Sequence, residues 1–177
     1  MISHVTTARA RDRRYVEQVT DLVNVVYAAA EEGLWIAGTD RVGAAEIAGY
    51  VAAGELIEAR DGGELLGVAR VRRLATGEGE LGMLVADPGQ RGRGIGRGLI
   101  AYGEKWAVDR GLRTMQLELL LPREWTHPVK QFLHEWYTRL GYRVVRRGDL
   151  ADDYPALVPR LATPCDFLIF HKPLGPA

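Results

Sequence analysis

The sequence is poor in cysteine and has no excess of charge, and each shortage excludes a class of protein. Its one cysteine, Cys165, cannot form an internal disulfide, which is typical of a reducing compartment and predicts a cytoplasmic location. Lysine plus arginine and aspartate plus glutamate both number 23, so the chain lacks the basic excess of a general nucleic-acid-binding protein. It also lacks an apolar run of the roughly 20 residues that span a bilayer, and its N-terminus does not resemble a signal peptide, so we expect no membrane partner.

Metal-ligating patterns are missing as well. His127 and His134 lie seven positions apart, and neither a His-x-x-His nor a His-Glu-x-x-His motif occurs, so the sequence predicts no metal site. No histidine is positioned to activate Cys165 as a nucleophile. We therefore interpret this cysteine as a small apolar residue.

Helical and strand-like periodicities alternate along the 177 residues, of which 47% are hydrophobic and 26% charged. The predicted helices cover 15–30, 44–53, the stretch after a glycine-rich loop to about 110, and 129–140; the predicted strands cover 3–9, 55–60, 65–74, 80–86, 114–121, 142–146 and 167–172. The strands between 55 and 86 follow one another through short turns, which indicates an antiparallel meander. We therefore predict one α/β domain over 1–177 with a mixed sheet, not a doubly wound parallel one.

A basic, glycine-rich loop at 88–98 precedes the third predicted helix. Its five glycines allow a ligand to approach the backbone, and its three arginines concentrate positive charge on a neutral chain. The first N–H groups of a helix are unpaired, and the helix dipole favours an anion there, so the loop predicts a phosphate or pyrophosphate site. The loop matches neither the dinucleotide fingerprint Gly-x-Gly-x-x-Gly nor the Gly-Lys-Ser/Thr of the triphosphate loop. A surface loop without a ligand stays as the alternative.

Two motifs resemble those of the GNAT superfamily of N-acetyltransferases. Arg91-Gly-Arg-Gly-Ile-Gly96 is similar to the family signature Gln/Arg-x-x-Gly-x-Gly/Ala, and Leu84-Val-Ala-Asp-Pro88 resembles the fourth strand and its turn. Further on, Trp136-Tyr-Thr-Arg-Leu-Gly-Tyr142 resembles the segment Phe-Tyr-x-x-x-Gly-Phe at the end of the fourth helix. The resemblance implies an α/β fold in one domain: a mixed, mostly antiparallel sheet of six to seven strands flanked by about four helices.

The resemblance also implies acetyl-CoA as the cosubstrate, held mainly by backbone groups. Its pyrophosphate is expected on the N–H groups of Arg91, Gly92, Arg93, Gly94, Ile95, Gly96 and Arg97. Its pantetheine arm is expected beside Leu84, Val85 and Ala86, where the fourth strand splays from the fifth. The thioester then lies near Met83, where a backbone N–H stabilises the oxyanion of the tetrahedral intermediate. Many relatives carry a pantetheine-contacting asparagine where this chain has Lys130, for which we expect a phosphate contact instead.

Direct transfer requires that the incoming ammonium loses a proton and that the departing thiolate gains one. The resemblance gives Tyr137 the role of general acid, although by residue type alone it is equally a buried aromatic. Glu80 stands at the sequence position of the general-base glutamate of the histone-acetylating members of the family. For Glu80 two alternatives stay open, because a water molecule replaces the base in many relatives and a carboxylate after a turn is commonly only solvated.

The acceptor is expected between residues 31–42 and 122–128, where GNAT-type proteins build the acceptor pocket. Trp35 and Trp125 lie in these segments and are predicted to bind the substrate, with ordinary packing as the alternative. The predicted activity is acetyl transfer to a small amine, a polyamine, an antibiotic-like amine or a protein amino group. The alternatives are a non-catalytic sensor that binds acyl-CoA, and a transferase of another acyl group. Because dimers are common in the family, a homodimer is also expected.

Overall fold

The computed structural model describes residues 1–175 and shows one sheet of seven strands flanked by helices. The strands are β1 (Ile2–His4), β2 (Leu56–Asp61), β3 (Glu64–Arg73), β4 (Gly79–Ala86), β5 (Thr114–Pro122), β6 (Arg143–Gly148) and β7 (Cys165–Pro173). The helices are α1 (Arg13–Ala30), α2 (Ala44–Ala52), α3 (Ile95–Val108), α4 (Pro128–Arg139) and the short α5 (Leu150–Asp153). No helix within residues 1–175 is both long and apolar enough to cross a membrane.

The strands lie in the order β1-β2-β3-β4-β5-β7-β6, and every neighbouring pair except β4 and β5 is antiparallel. The β4–β5 pair is parallel and short, because only Gly79 and Glu80 are in register with Met115 and Gln116. Beyond Glu80 the two strands separate, so the sheet is split over the second half of β4. The predicted fold class, a mixed and mostly antiparallel sheet with about four long helices, is confirmed.

Different helices cover the two faces of the sheet. On one face, the buried residues Val16, Val19 and Val23 of α1 pack with α2 against strands β2 to β4. Their spacing of three and four puts them on one side of the helix, as the sequence predicts. On the other face, α3 and α4 pack against the same sheet in a second cluster that includes Leu99, Ile100, Tyr137, Tyr142 and Phe170. Both faces of the sheet are therefore covered by packed helices.

Two segments differ from the prediction, and both differences have local causes. The strand expected at 3–9 is confined to β1, because β2 pairs only with Ile2–His4 and a 3-10 turn follows at Thr7–Arg11. The connection expected at 149–164 contains α5, whose first turn is closed by reciprocal bonds between the side chains and backbone of Asp149 and Asp152. A 3-10 turn at Pro155–Arg160 follows it.

Candidate active site

Strand β4 carries a bulge where it separates from β5. The register with β3 runs from Val68–Val85 to Arg70–Gly82, so Met83 and Leu84 together oppose one residue of β3. Met83 has a φ of 48°, and no other residue but glycine has a positive φ within residues 1–175. This conformation costs a side-chain-bearing residue roughly 1–2 kcal/mol. A bulge redirects the peptide groups around it, so the strand presents backbone to the split and not to a neighbouring strand.

A cavity of about 540 Å³ occupies the split. Its wall brings together residues from both halves of the sheet, from α1 and from α4. The lining includes Glu80, Met83, Leu84, Val85, Glu118, Lys130 and Tyr137. The structure therefore places the predicted acid, the predicted base and most of the predicted pantetheine-binding strand around one space.

Tyr137 lies in the last turn of α4 with its ring buried against Tyr142 and Phe170. Gly141, with a φ of 95°, ends the helix and lets the N–H of Tyr142 donate to the carbonyl of Tyr137 at 3.0 Å. The buried Tyr142 thereby fixes the turn that carries Tyr137. No side chain bonds the Tyr137 hydroxyl within residues 1–175, and burial, followed by the charges of Tyr27 and Glu31, raises its pKa well above the ordinary value. The hydroxyl consequently keeps its proton and can donate it into the cavity.

Two glutamates face each other across the β4–β5 junction. Glu80 is buried and accepts a hydrogen bond from Nε of Arg72 at 2.5 Å. Glu118, two residues beyond the partner of Glu80 on β5, accepts one from the Tyr154 hydroxyl at 2.9 Å. Burial, followed by the charge of Glu80, raises the pKa of Glu118. Sequence analysis missed Glu118, although its place between the buried alternating residues Leu117 and Leu119 was a signal that it faces the other side of the strand.

Lys130 does not lie with the glycine loop. Its side chain is buried, and Nζ donates to Oε1 of Glu31 at 2.5 Å. Trp35 donates its indole N–H to the other oxygen of Glu31 at 2.6 Å. The ammonium of Lys130 is thus engaged by a buried carboxylate at the wall of the cavity, and its expected phosphate contact stays a prediction.

A second cavity of about 570 Å³ adjoins the first. It is lined by the end of α1, by the loop at 32–41 and by Leu157 and Arg160. Trp35 lines both cavities, as expected of an acceptor-binding residue. Trp125 lines neither, because its ring packs on Gly33 and its indole N–H points to Thr163 at 3.3 Å. The structure therefore brings only one of the two tryptophans to the predicted acceptor pocket.

The glycine loop has the geometry of an anion site. Asp87 fixes the turn before it by accepting from the N–H of Gly89 at 2.8 Å, and Gly94, with a φ of 74°, caps α3. Within residues 1–175 the N–H groups of 94–97 have no acceptor. Arg93 pairs with Asp61, whereas Arg91 and Arg97 are exposed. Free N–H groups and exposed guanidinium groups at one helix N-terminus suit a phosphate. By contrast, no cluster of three metal-ligating side chains occurs in the part of the chain that the structure describes.

This geometry matches a known class of enzyme. A model of the Acetyltransferase (GNAT) family matches residues 22–142, about two thirds of the chain. The protein therefore belongs to the GNAT family of N-acetyltransferases, which confirms the resemblance found in its motifs. No curated protein matches the sequence significantly.

Solved structures share the fold across the whole chain. An aminoglycoside 6'-N-acetyltransferase complexed with coenzyme A is 20% identical with a TM-score of 0.72, covering 100% of this chain and 98% of its own. The aminoglycoside 6'-N-acetyltransferase from Enterococcus faecium is 20% identical with a TM-score of 0.68 over the same shares. A ribosomal-protein-alanine N-acetyltransferase from Brucella melitensis is 17% identical with a TM-score of 0.68, covering 98% and 99%. The TM-scores show a common fold, and the acceptors named differ between these proteins.

Proposed function

We propose that the protein transfers the acetyl group of acetyl-CoA directly to an amine in a ternary complex. The observation that carries the proposal is that the Tyr137 hydroxyl, which no side chain bonds, and the Met83 bulge line one cavity in a split sheet. Membership of an acetyltransferase family and a free helix N-terminus support it. The amine class includes small amines, polyamines, aminoglycosides and protein amino groups.

The residues around the split fit acetyl-CoA. The free N–H groups of 94–97, with Arg91 and Arg97, would hold the pyrophosphate, and residues 84–86 of β4 would pair with the pantetheine arm. An added Cβ at Gly92 or Gly94 would meet nothing within 4 Å, so the loop leaves room for a phosphate. When bound, acetyl-CoA supplies an activated thioester.

A substitution in the loop tests this assignment. Gly94→Ala places a side chain at a φ of 74° and disturbs the N-terminus of α3, so we expect the Kd for acetyl-CoA to rise about tenfold. Gly111→Ala is the matched control, because Gly111 has a φ of 72° beyond the opposite end of α3 and an added Cβ there meets nothing within 4 Å. Calorimetry should show weaker binding only for the first variant. Equal Kd values for both would contradict a role of the loop.

The proposed chemistry forms the C–N bond and breaks the C–S bond while two protons move. Tyr137 donates its proton, or a strong hydrogen bond, to the sulfur as it leaves, and the second proton lost by the amine nitrogen restores the tyrosine hydroxyl. The backbone at the Met83 bulge lines the same cavity and would stabilise the carbonyl oxygen as it gains charge. A base removes the proton of the ammonium, and the candidates are Glu80, Glu118 or a water molecule held by them.

The geometry favours Glu118 over Glu80 as that base, because Glu80 is bound to Arg72. We expect Glu118→Gln to lower kcat/KM about 100-fold and to remove the decline of activity at low pH. The raised pKa of Glu118 places that decline above the ordinary range of a glutamate, since activity is lost as pH falls through the pKa of the base. A profile of kcat/KM against pH for Glu118→Gln and Glu80→Gln separates the two. Should Glu80→Gln alone lose the low-pH decline, Glu80 is the base.

An assay of thiol release from acetyl-CoA against a broad panel of amines tests the proposed function itself. Turnover with at least one amine is expected. Tight binding of acetyl-CoA with no turnover on any amine would favour the non-catalytic sensor, and faster turnover with a longer acyl-CoA would favour another acyl group. The cytoplasmic location and the homodimer stay predictions alongside it.

A further inference from the structure

The charged side chains that line the cavity in the split between β4 and β5 are almost all paired. Glu31 is bonded to Lys130, Glu80 to Arg72, and Arg70 to Glu55. The remaining carboxylates also have partners: Glu118 accepts from Tyr154, Glu46 from Tyr50 and Asp153 from Arg146. A bonded carboxylate attracts a second cation more weakly, so the acidic groups of this cavity do not by themselves select a polycationic acceptor.

Arg41 is the main exception. It lies where the two cavities meet and lines both. Its Nε is buried and has no hydrogen-bond acceptor, and the nearest carboxylate oxygen, on Glu31, is 4.0 Å away. Its guanidinium carbon sits 4.9 Å from the centre of the Tyr27 ring, which holds the side chain in place. The Arg41 side chain is 36% exposed, so the remaining N–H groups of its guanidinium can reach a ligand in either cavity.

Arg160 adds a second guanidinium to the lining of the same two cavities. No carboxylate pairs with it within residues 1–175. Its segment is held to the acceptor loop, because its carbonyl accepts from the N–H of Ile36 at 2.9 Å and Leu161 pairs with Trp35. Glu32 and Asp40 line the second cavity too, but neither lines the first cavity, which holds Tyr137 and Glu118.

We propose that the acceptor carries a carboxylate, which Arg41 and Arg160 bind while its amine faces Tyr137 and Glu118. The inference rests on the proposed function and names the substrate class of the same site: an amino acid or a short molecule with both an amine and a carboxylate. A guanidinium group offers a fork of donors that matches a carboxylate, and the bond between two charges is stronger than a neutral one. A polycationic amine brings no acceptor to these donors.

Matched pairs of acceptors test the proposal. The pairs are common amino acids and their α-carboxamides, which differ in charge and hardly in size. We expect wild-type kcat/KM to be about 10–100-fold higher for the acid, since the charge-assisted bonds are lost with the amide. Arg41→Gln should remove most of this preference, because kcat/KM should fall much more for the acid than for the amide. Arg160→Gln, at an exposed position, should reduce it without a risk to folding.

Arg13→Gln serves as the control, because Arg13 is an exposed arginine paired only with Glu17 on the outside of α1. Equal kcat/KM for acid and amide in the wild type, or equal losses for both in Arg41→Gln, would overturn the inference. Calorimetric binding of each pair in the presence of coenzyme A gives a readout that needs no turnover. If no amine is turned over, the proposed function is contradicted. Preferential binding of the acid would still support the carboxylate site.

Discussion

Replacing Tyr137 by phenylalanine is expected to lower kcat about 10²–10⁴-fold, the range over which a positioned acid acts. The change removes one hydroxyl that no side chain among residues 1–175 bonds, so no partner there is left unsatisfied and the fold should keep its stability. The ring itself stays packed against Tyr142 and Phe170. A loss of rate in this variant is therefore a loss of chemistry.

Tyr142→Phe is the control for this experiment, since it removes a hydroxyl of the neighbouring buried tyrosine. That hydroxyl donates to Glu104 at 2.9 Å, so its loss should lower the free energy of unfolding by about 1 kcal/mol and leave kcat unchanged. In urea unfolding, Tyr142→Phe should be the less stable variant and Tyr137→Phe should keep its stability. In the thiol-release assay, Tyr137→Phe should be slow and Tyr142→Phe should keep its rate. An unchanged rate of thiol release in Tyr137→Phe at all pH values would show that another group, or water, protonates the sulfur.

Replacing Lys130 by methionine is expected to lower the free energy of unfolding by about 3–5 kcal/mol at neutral pH. The substitution leaves the Glu31 carboxylate buried without its cation. Burial acts to raise the pKa of Glu31, but the charges of Lys130 and then Arg41 outweigh it and hold the pKa below the ordinary value. A depressed carboxylate pKa stabilises the folded state above the unfolded pKa, and this contribution is lost as pH falls through the folded pKa.

A double variant separates the charge effect from packing. Glu31→Gln combined with Lys130→Met removes both charges, so it should be clearly more stable than Lys130→Met alone. The deficit of Lys130→Met should also shrink as pH falls, because without Lys130 burial raises the pKa of Glu31 and its protonation removes the unpaired charge. Lys105→Met breaks an exposed pair with Asp109 and should cost less than about 1 kcal/mol in urea unfolding. A similar small cost for Lys130→Met would mean that the buried pair contributes little.

The sequence predicted what depends on neighbours along the chain. Helix α1 follows from apolar spacing, the β2–β3 turn from Gly62 and Gly63, and the cap of α3 from the glycine loop. Each depends on residues a few positions apart, so its signal is local. The family motifs then predicted the place of Tyr137 and of the anion site, because they encode a shared arrangement. The roles of these residues stay predictions.

Contacts between distant segments could not be predicted in this way. Lys130 and Glu31 are 99 positions apart, and no local pattern indicates that one neutralises the other. The pairing of Glu118 with Tyr154 likewise depends on a connection that crosses the end of the sheet. Trp125 was assigned to the acceptor pocket by its segment, but packing on Gly33 turns its ring aside. Charge pairing and side-chain direction are set by the tertiary structure.

The short junction between β4 and β5 links ligand concentration to the folding equilibrium. Two residue pairs join β4 to β5. Beyond them, the main-chain groups along the split are open to a bound molecule. A ligand that binds in the split binds the folded chain and not the unfolded one. At a ligand concentration of 100 times its Kd, it therefore adds about 2.7 kcal/mol to the free energy of unfolding. We therefore expect the melting temperature of this protein to rise with the concentration of acetyl-CoA, the proposed cosubstrate.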